Sequence, residues 1–180
     1  MNINANNACS FFGHRKIQLT SILKSTLFKL IEDLITKNNV TIFLFGSRSE
    51  FDDLCHLIVS DLKNKYPQIK QIAFTCKHEA CILQKDLNKW NEAYKSILSI
   101  ESNLIAVDYE YKDSDNFCAG KASYIKRNQS MIDLSSYCVF YYNHKVNSKG
   151  NSGTYIAYNY AKKKEKTIIN VCEIIKNDTQ

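Results

Sequence analysis

Proline occurs once in 180 residues and glycine five times. That scarcity excludes collagen-like and Pro/Gly-rich disordered chains, and it makes each glycine a candidate for a specific backbone task. No window approaches the ~18 apolar residues that a membrane-spanning helix needs. The first eight residues are asparagine-rich, with no basic stretch leading into an apolar one, so no secretory signal is expected. The seven cysteines are odd in number and contain no Cys-x-x-Cys pair. Cys9, Cys138 and Cys172 lie in or beside apolar runs, which reads as reduced, buried thiols and a cytoplasmic protein. The formal net charge of +6 is mostly lysine. A solubility surplus accounts for it, and a phosphate-bearing partner is the sharper alternative.

What is present is an ordinary globular composition, 44% hydrophobic and 23% charged. The length suits a single domain with its own core. Residues 8–172 are the expected core, and 1–7 and 176–180 the expected flexible ends. Short apolar runs alternate with amphipathic stretches. Cys9–Phe12 is a strand ending at Gly13. Apolar residues then recur at three- and four-residue intervals from Ile17 to Ile35, predicting a helix over 17–37. Residues 40–45 form a second strand, 51–65 a second helix and 69–75 a third strand. Residues 83–100 carry a weaker helical pattern, 104–107 a strand, and the acidic 108–115 reads as a loop. A helix over 119–134, a strand over 137–142, a helix over 153–164 and a closing strand over 167–171 complete the chain. Strict alternation of this kind predicts an α/β protein with a Rossmann-like, doubly wound, mostly parallel sheet and helices on both faces.

Three breaks carry chemistry: Phe12-Gly13-His14-Arg15, Phe45-Gly46-Ser47-Arg48 and Asn151-Ser152-Gly153-Thr154. Each joins a strand, or a loop after one, to a helix. In a parallel sheet such turns gather at the carboxyl ends of the strands, where amides, helix N-termini and guanidinium groups receive phosphate. Gly13, Arg15, Gly46, Ser47, Ser152, Gly153 and Thr154 are therefore the candidate phosphate contacts. His14, Asp52 and Arg127 are candidates for sugar or phosphate. Ser49 is placed to cap the second helix. Asp133, six residues from Arg127 on one helix, is expected to brace a loop instead. Tyr142 or Tyr155 could stack on a base. Cys76-x-His78-x-x-Cys81 matches no common zinc spacing, so no metal is expected.

Taken in order, Phe11-Phe12-Gly13-His14-Arg15, Phe45-Gly46 with Glu50-Phe51-Asp52-Asp53-Leu54-Cys55, Lys65-Tyr66-Pro67-Gln68-Ile69-Lys70, Arg127-Asn128 with Met131-Ile132-Asp133, and Phe140-Tyr141-Tyr142-Asn143 followed by Ser152-Gly153 resemble small bacterial proteins of the SLOG superfamily. That is the Rossmann-like group related to DprA/Smf and to LOG-type proteins. The resemblance implies a nucleotide or nucleotide-derived ligand, ADP-ribose and NAD-related molecules included, at the strand ends, and a homo-oligomer. It departs from the LOG-type Pro-Gly-Gly-x-Gly-Thr-x-x-Glu motif. Gly153-Thr154 matches the Gly-Thr, but the catalytic glutamate position falls on Ala157.

Three functions follow as expectations. The first is a nucleotide-ligand binding or sensing module. The second is a nucleotide-processing hydrolase, cleaving an N-glycosidic or phosphoester bond with His14 as acid/base and Asp52 as its carboxylate. The third is a DprA-like nucleic-acid-binding role, for which the sequence offers its charge but no interleaving of aromatic and basic residues. Whether any reaction occurs, and which ligand is bound, stays open at this level.

Overall fold

Ala8–Phe12 (β1) is buried along its whole length, as a strand must be when helices cover both faces of its sheet. The computed structural model describes residues 3–46, 49–75, 109–112, 121–143 and 152–177. In it β1 lies inside a parallel sheet with β2 (Ile42–Phe45), β3 (Lys70–Thr75), β4 (Tyr109–Lys112), β5 (Tyr137–Phe140) and β6 (Thr167–Asn170). The spatial order is β4-β3-β2-β1-β5-β6, and every pair is parallel. The chain runs from β1 outward to β4, then returns to the other side of β1 for β5 and β6. That reversal is the switch point where an α/β sheet opens a crevice beyond its strand ends.

Side-chain alternation divides the core into two layers. Cys9, Phe11, Phe43, Phe45 and Val139 face α1 (Ser21–Asn38), α2 (Glu50–Lys65) and α5 (Val171–Asn177), meeting Leu27, Ile31, Phe51, Ile58 and Val171. Phe12, Leu44, Ile72, Cys138 and Phe140 face α3 (Lys121–Asp133) and α4 (Gly153–Lys163), meeting Met131, Ile132, Ala157 and Ala161. Helices on both faces of one parallel sheet make the protein Rossmann-like. Phe11 stacks on Phe45 at 5.1 Å and Phe12 on Phe140 at 5.0 Å, so the rings at the end of β1 tie it to both neighbours.

Several expectations need correction. The first helix begins at Ser21, not at residue 17, because the Thr20 hydroxyl caps it by accepting the Leu23 amide at 3.1 Å. It ends at Asn39, whose φ of 54° is a left-handed cap that asparagine tolerates. Residues 109–112, read as part of a loop, form an edge strand on β3. Residues 171–177, divided between a closing strand and a frayed end, form α5. Cys9, Cys55 and Cys138 are buried free thiols, and Cys172 is half-buried. No described helix is long and apolar enough to cross a membrane. The strand expected at 104–107, the helix at 83–100, the Cys76/His78/Cys81 group, Ser47, Arg48 and Asn151 lie outside the described residues.

Candidate functional site

Four segments distant in sequence surround a cavity of about 550 Å³ at the carboxyl ends of the central strands. Small-molecule sites run from roughly 300 to 1,000 Å³. The turn after β1 supplies Gly13, His14 and Arg15; the end of β2 supplies Gly46; the start of α2 supplies Ser49 and Asp52. From α3 come Tyr124, Ile125, Arg127 and Asn128, and the head of α4 adds Ser152, Gly153 and Thr154. Thus every described candidate for sugar or phosphate contact lines one cavity, while Tyr142 and Tyr155 do not. Ser47 is outside the described residues. Asp133 braces a different place: its carboxylate accepts the Tyr160 hydroxyl at 3.0 Å and pairs with Lys164 at 3.3 Å.

Local packing sets the shape of this rim. A Cβ on Gly13 would collide with Cβ and Cγ of Phe51, which is fully buried. A Cβ on Gly46 would lie 2.9 Å from Nη2 of Arg127. Space therefore requires glycine at 13, whereas at 46 a Cβ would displace the Arg127 guanidinium. The Thr154 hydroxyl, which sequence reasoning offered to a ligand, donates to the Gly13 carbonyl at 3.0 Å and fastens α4 to the turn. Arg127 donates through Nε and Nη2 to Oδ1 of Asn128, at 3.3 and 3.2 Å, and its guanidinium sits 5.2 Å from the Tyr124 ring centre. Such stacking steadies a planar cation.

The two helix starts differ in charge. Ser152 caps α4 by accepting the Tyr155 amide at 3.1 Å, and its first turn holds no acidic residue. Ser152, Gly153 and Thr154, at the positive end of this helix, line the cavity. Ser49 likewise caps α2, accepting the Asp52 amide at 3.0 Å. There, however, Glu50, Asp52 and Asp53 already complement the dipole. Asp52 is only 5% exposed and lines the cavity. His14 is half-buried, its ring 6.2 Å from Tyr141 and edge-on to it. Burial pushes its imidazole below the usual 6.5, so it is neutral at pH 7.

Tyr142 is not a base platform. It is 3% exposed, packed 5.2 Å from Tyr158 and 6.3 Å from Tyr155 inside the α4 layer. The tyrosine that lines the cavity is Tyr124, which sequence reading passed over. The available signal was its place three residues before Arg127, one turn away on the same helix.

The sequence pattern of the family described as the YspA SLOG family matches residues 8–176. The chain is 36% identical over 148 residues to an uncharacterized SPbeta prophage-derived protein, YoqJ, of Bacillus subtilis (strain 168). That similarity covers 78% of this chain and 81% of the relative.

Proposed function

This chain belongs to the YspA SLOG family, and from that premise we propose that it is a binding or sensing module for a nucleotide or nucleotide-derived small molecule. The observation that carries the reading is the division of the cavity into two chemistries. Arg15, Arg127 and the acid-free start of α4 gather cations and amides suited to phosphate. Asp52, buried at the start of α2, repels phosphate but accepts hydrogen bonds from hydroxyls, as a ribose offers. A ligand carrying both groups satisfies both ends.

Ala157 favours binding over the LOG-type hydrolysis. It stands where that motif places glutamate, and it is 2% exposed in the apolar layer with Phe140 and Tyr142. No carboxylate reaches the cavity from that position.

Calorimetric titration with AMP, ADP-ribose, NAD and inorganic phosphate tests the proposal. At least one nucleotide should bind more tightly than phosphate alone. Arg15→Ala should weaken it, while Asp52→Asn should weaken the nucleotide but not inorganic phosphate. Absence of binding by every compound, or indifference to Arg15→Ala, removes the reading. Release of a nucleobase or phosphate from AMP, lost in His14→Ala, would replace it with the hydrolase.

A further inference from the structure

The turn from β1 to α1, residues 13–20, has no helix or strand of its own, yet it must present Arg15 to the cavity. Thr154 fastens it at the Gly13 carbonyl, and one residue of α2 holds it further along. Glu50, the first residue of α2, donates its amide to the Arg15 carbonyl at 3.0 Å. Its carboxylate Oε2 accepts the Ile17 amide at 2.8 Å. These two bonds fix the backbone that leaves Arg15, one at its own carbonyl and one two residues on. Glu50 is half-buried and is not among the residues that line the cavity. The amide of a first helical residue has no partner within its helix, so this donor is available to the turn. A carboxylate accepting a backbone amide makes a charge-assisted bond, stronger than a neutral one.

We propose that Glu50 is a positioning residue: it fixes the residue 13–17 turn, and through it Arg15, in the conformation that meets the ligand. The inference rests on the binding proposal above for its effect on affinity, but the clamp itself is measurable without ligand. The plainer role for Glu50, an acidic residue complementing the α2 dipole, would stabilise the helix and leave Arg15 alone.

The test combines hydrogen exchange with calorimetry, using AMP and ADP-ribose as probes. In wild type the Ile17 amide should exchange slowly. Glu50→Gln keeps an oxygen acceptor and should retain most of that protection, whereas Glu50→Ala should lose it. Affinity for the probe should fall about tenfold or more in Glu50→Ala, as for loss of a hydrogen bond to a charged group, and recover in Glu50→Gln. In an Arg15→Ala background, Glu50→Ala should cost little further affinity, because both changes act through one side chain. Additive losses, or equal affinity in Glu50→Ala and wild type, would overturn the proposal. If wild type binds neither probe, the binding proposal loses these ligands and Ile17 exchange alone decides. Protection lost in Glu50→Ala supports the clamp, and an unprotected amide in wild type sinks it.

Discussion

Gly46→Ala should injure ligand binding while sparing the fold. The added Cβ would sit 2.9 Å from Nη2 and 3.0 Å from Cζ of Arg127, several tenths of an ångström inside a comfortable contact of about 3.5 Å. What it meets is the far end of a flexible side chain, which can swing aside. Gly46 has no positive φ, so alanine brings no backbone strain there. Removing glycine from the unfolded chain is worth about 0.4–1 kcal/mol, which offsets much of the local crowding. Net stability should therefore change by less than about 1 kcal/mol, or roughly 2–4 °C in Tm for a chain of this size. The guanidinium, however, leaves its position over Tyr124 and beside Asn128. If it contacts phosphate, losing that contact costs about 1.5–3 kcal/mol, a roughly 10- to 100-fold loss of affinity. Gly13→Ala should behave in the opposite way, because its Cβ strikes the root of a buried ring, Phe51. Overpacking of that kind costs about 1–3 kcal/mol and should lower the melt. At Gly153 a Cβ meets no protein atom within 4 Å, so Gly153→Ala is the control for the fold. Thermal melts and calorimetry with the tightest nucleotide of the panel read all three. A Gly46→Ala protein that melts far lower, or binds as well as wild type, would refute the reasoning.

Two groups on α2, the half-buried Asp53 and the buried His56, should oppose each other with pH. Burial, with the Glu50 carboxylate nearby, pushes Asp53 up from 3.8 to about 6, and burial pushes His56 down from 6.5 to about 4. The folded protein keeps the Asp53 proton that the unfolded chain releases, so this contribution to stability falls as pH rises from 3.8 to about 6. His56 stays neutral where the unfolded chain's histidine is charged, so its contribution grows as pH rises from about 4 to 6.5. Each is worth on the order of 3 kcal/mol over its window, with opposite sign. Asp53→Asn should therefore gain stability on wild type as pH rises from 4.5 to 6.5, measured by urea midpoints; a constant difference would contradict the assignment. At the end of β6, the Asn170 side chain accepts the Tyr142 amide at 3.2 Å and donates to the Tyr142 carbonyl at 2.9 Å, and it also accepts the Cys172 amide at 3.3 Å. Asn170→Ala should cost about 3 kcal/mol by loss of these bonds; a Tm within a degree or two of wild type would show that they carry little.

Local chemistry was legible wherever it decided the outcome alone. The apolar runs at Ala8–Phe12 and Ile42–Phe45 could only be buried strands, and glycines following them marked the rim of the sheet. Periodicity misled at the start of α1. Ile17 and Leu19 fit the helical repeat, yet Leu19 is 60% exposed and Ile22 49%, and the Thr20 cap decides the boundary. At Tyr109–Lys112 the aromatic–charged alternation suits an edge strand, but acidic neighbours at Asp108, Asp113 and Asp115 disguised it as a loop. Within the site, Arg15, Arg127 and Asp52 announced themselves by type. Glu50 and the latching role of Thr154 did not, because each acts on backbone far away in sequence, 33 and 141 residues distant, and spacing carries no trace of such pairings.

The sheet order also dictates when this protein becomes competent during synthesis. Its first strand needs a neighbour made some 128 residues later, and the threonine that latches the first glycine turn comes later still. A ribosome-bound chain halted before β5 can assemble β1 to β4, yet it holds half a vessel, with one long edge of β1 unprotected. Closure of the cavity is thus reserved for chains that extend through α4, and a prematurely terminated copy offers an open strand for aggregation.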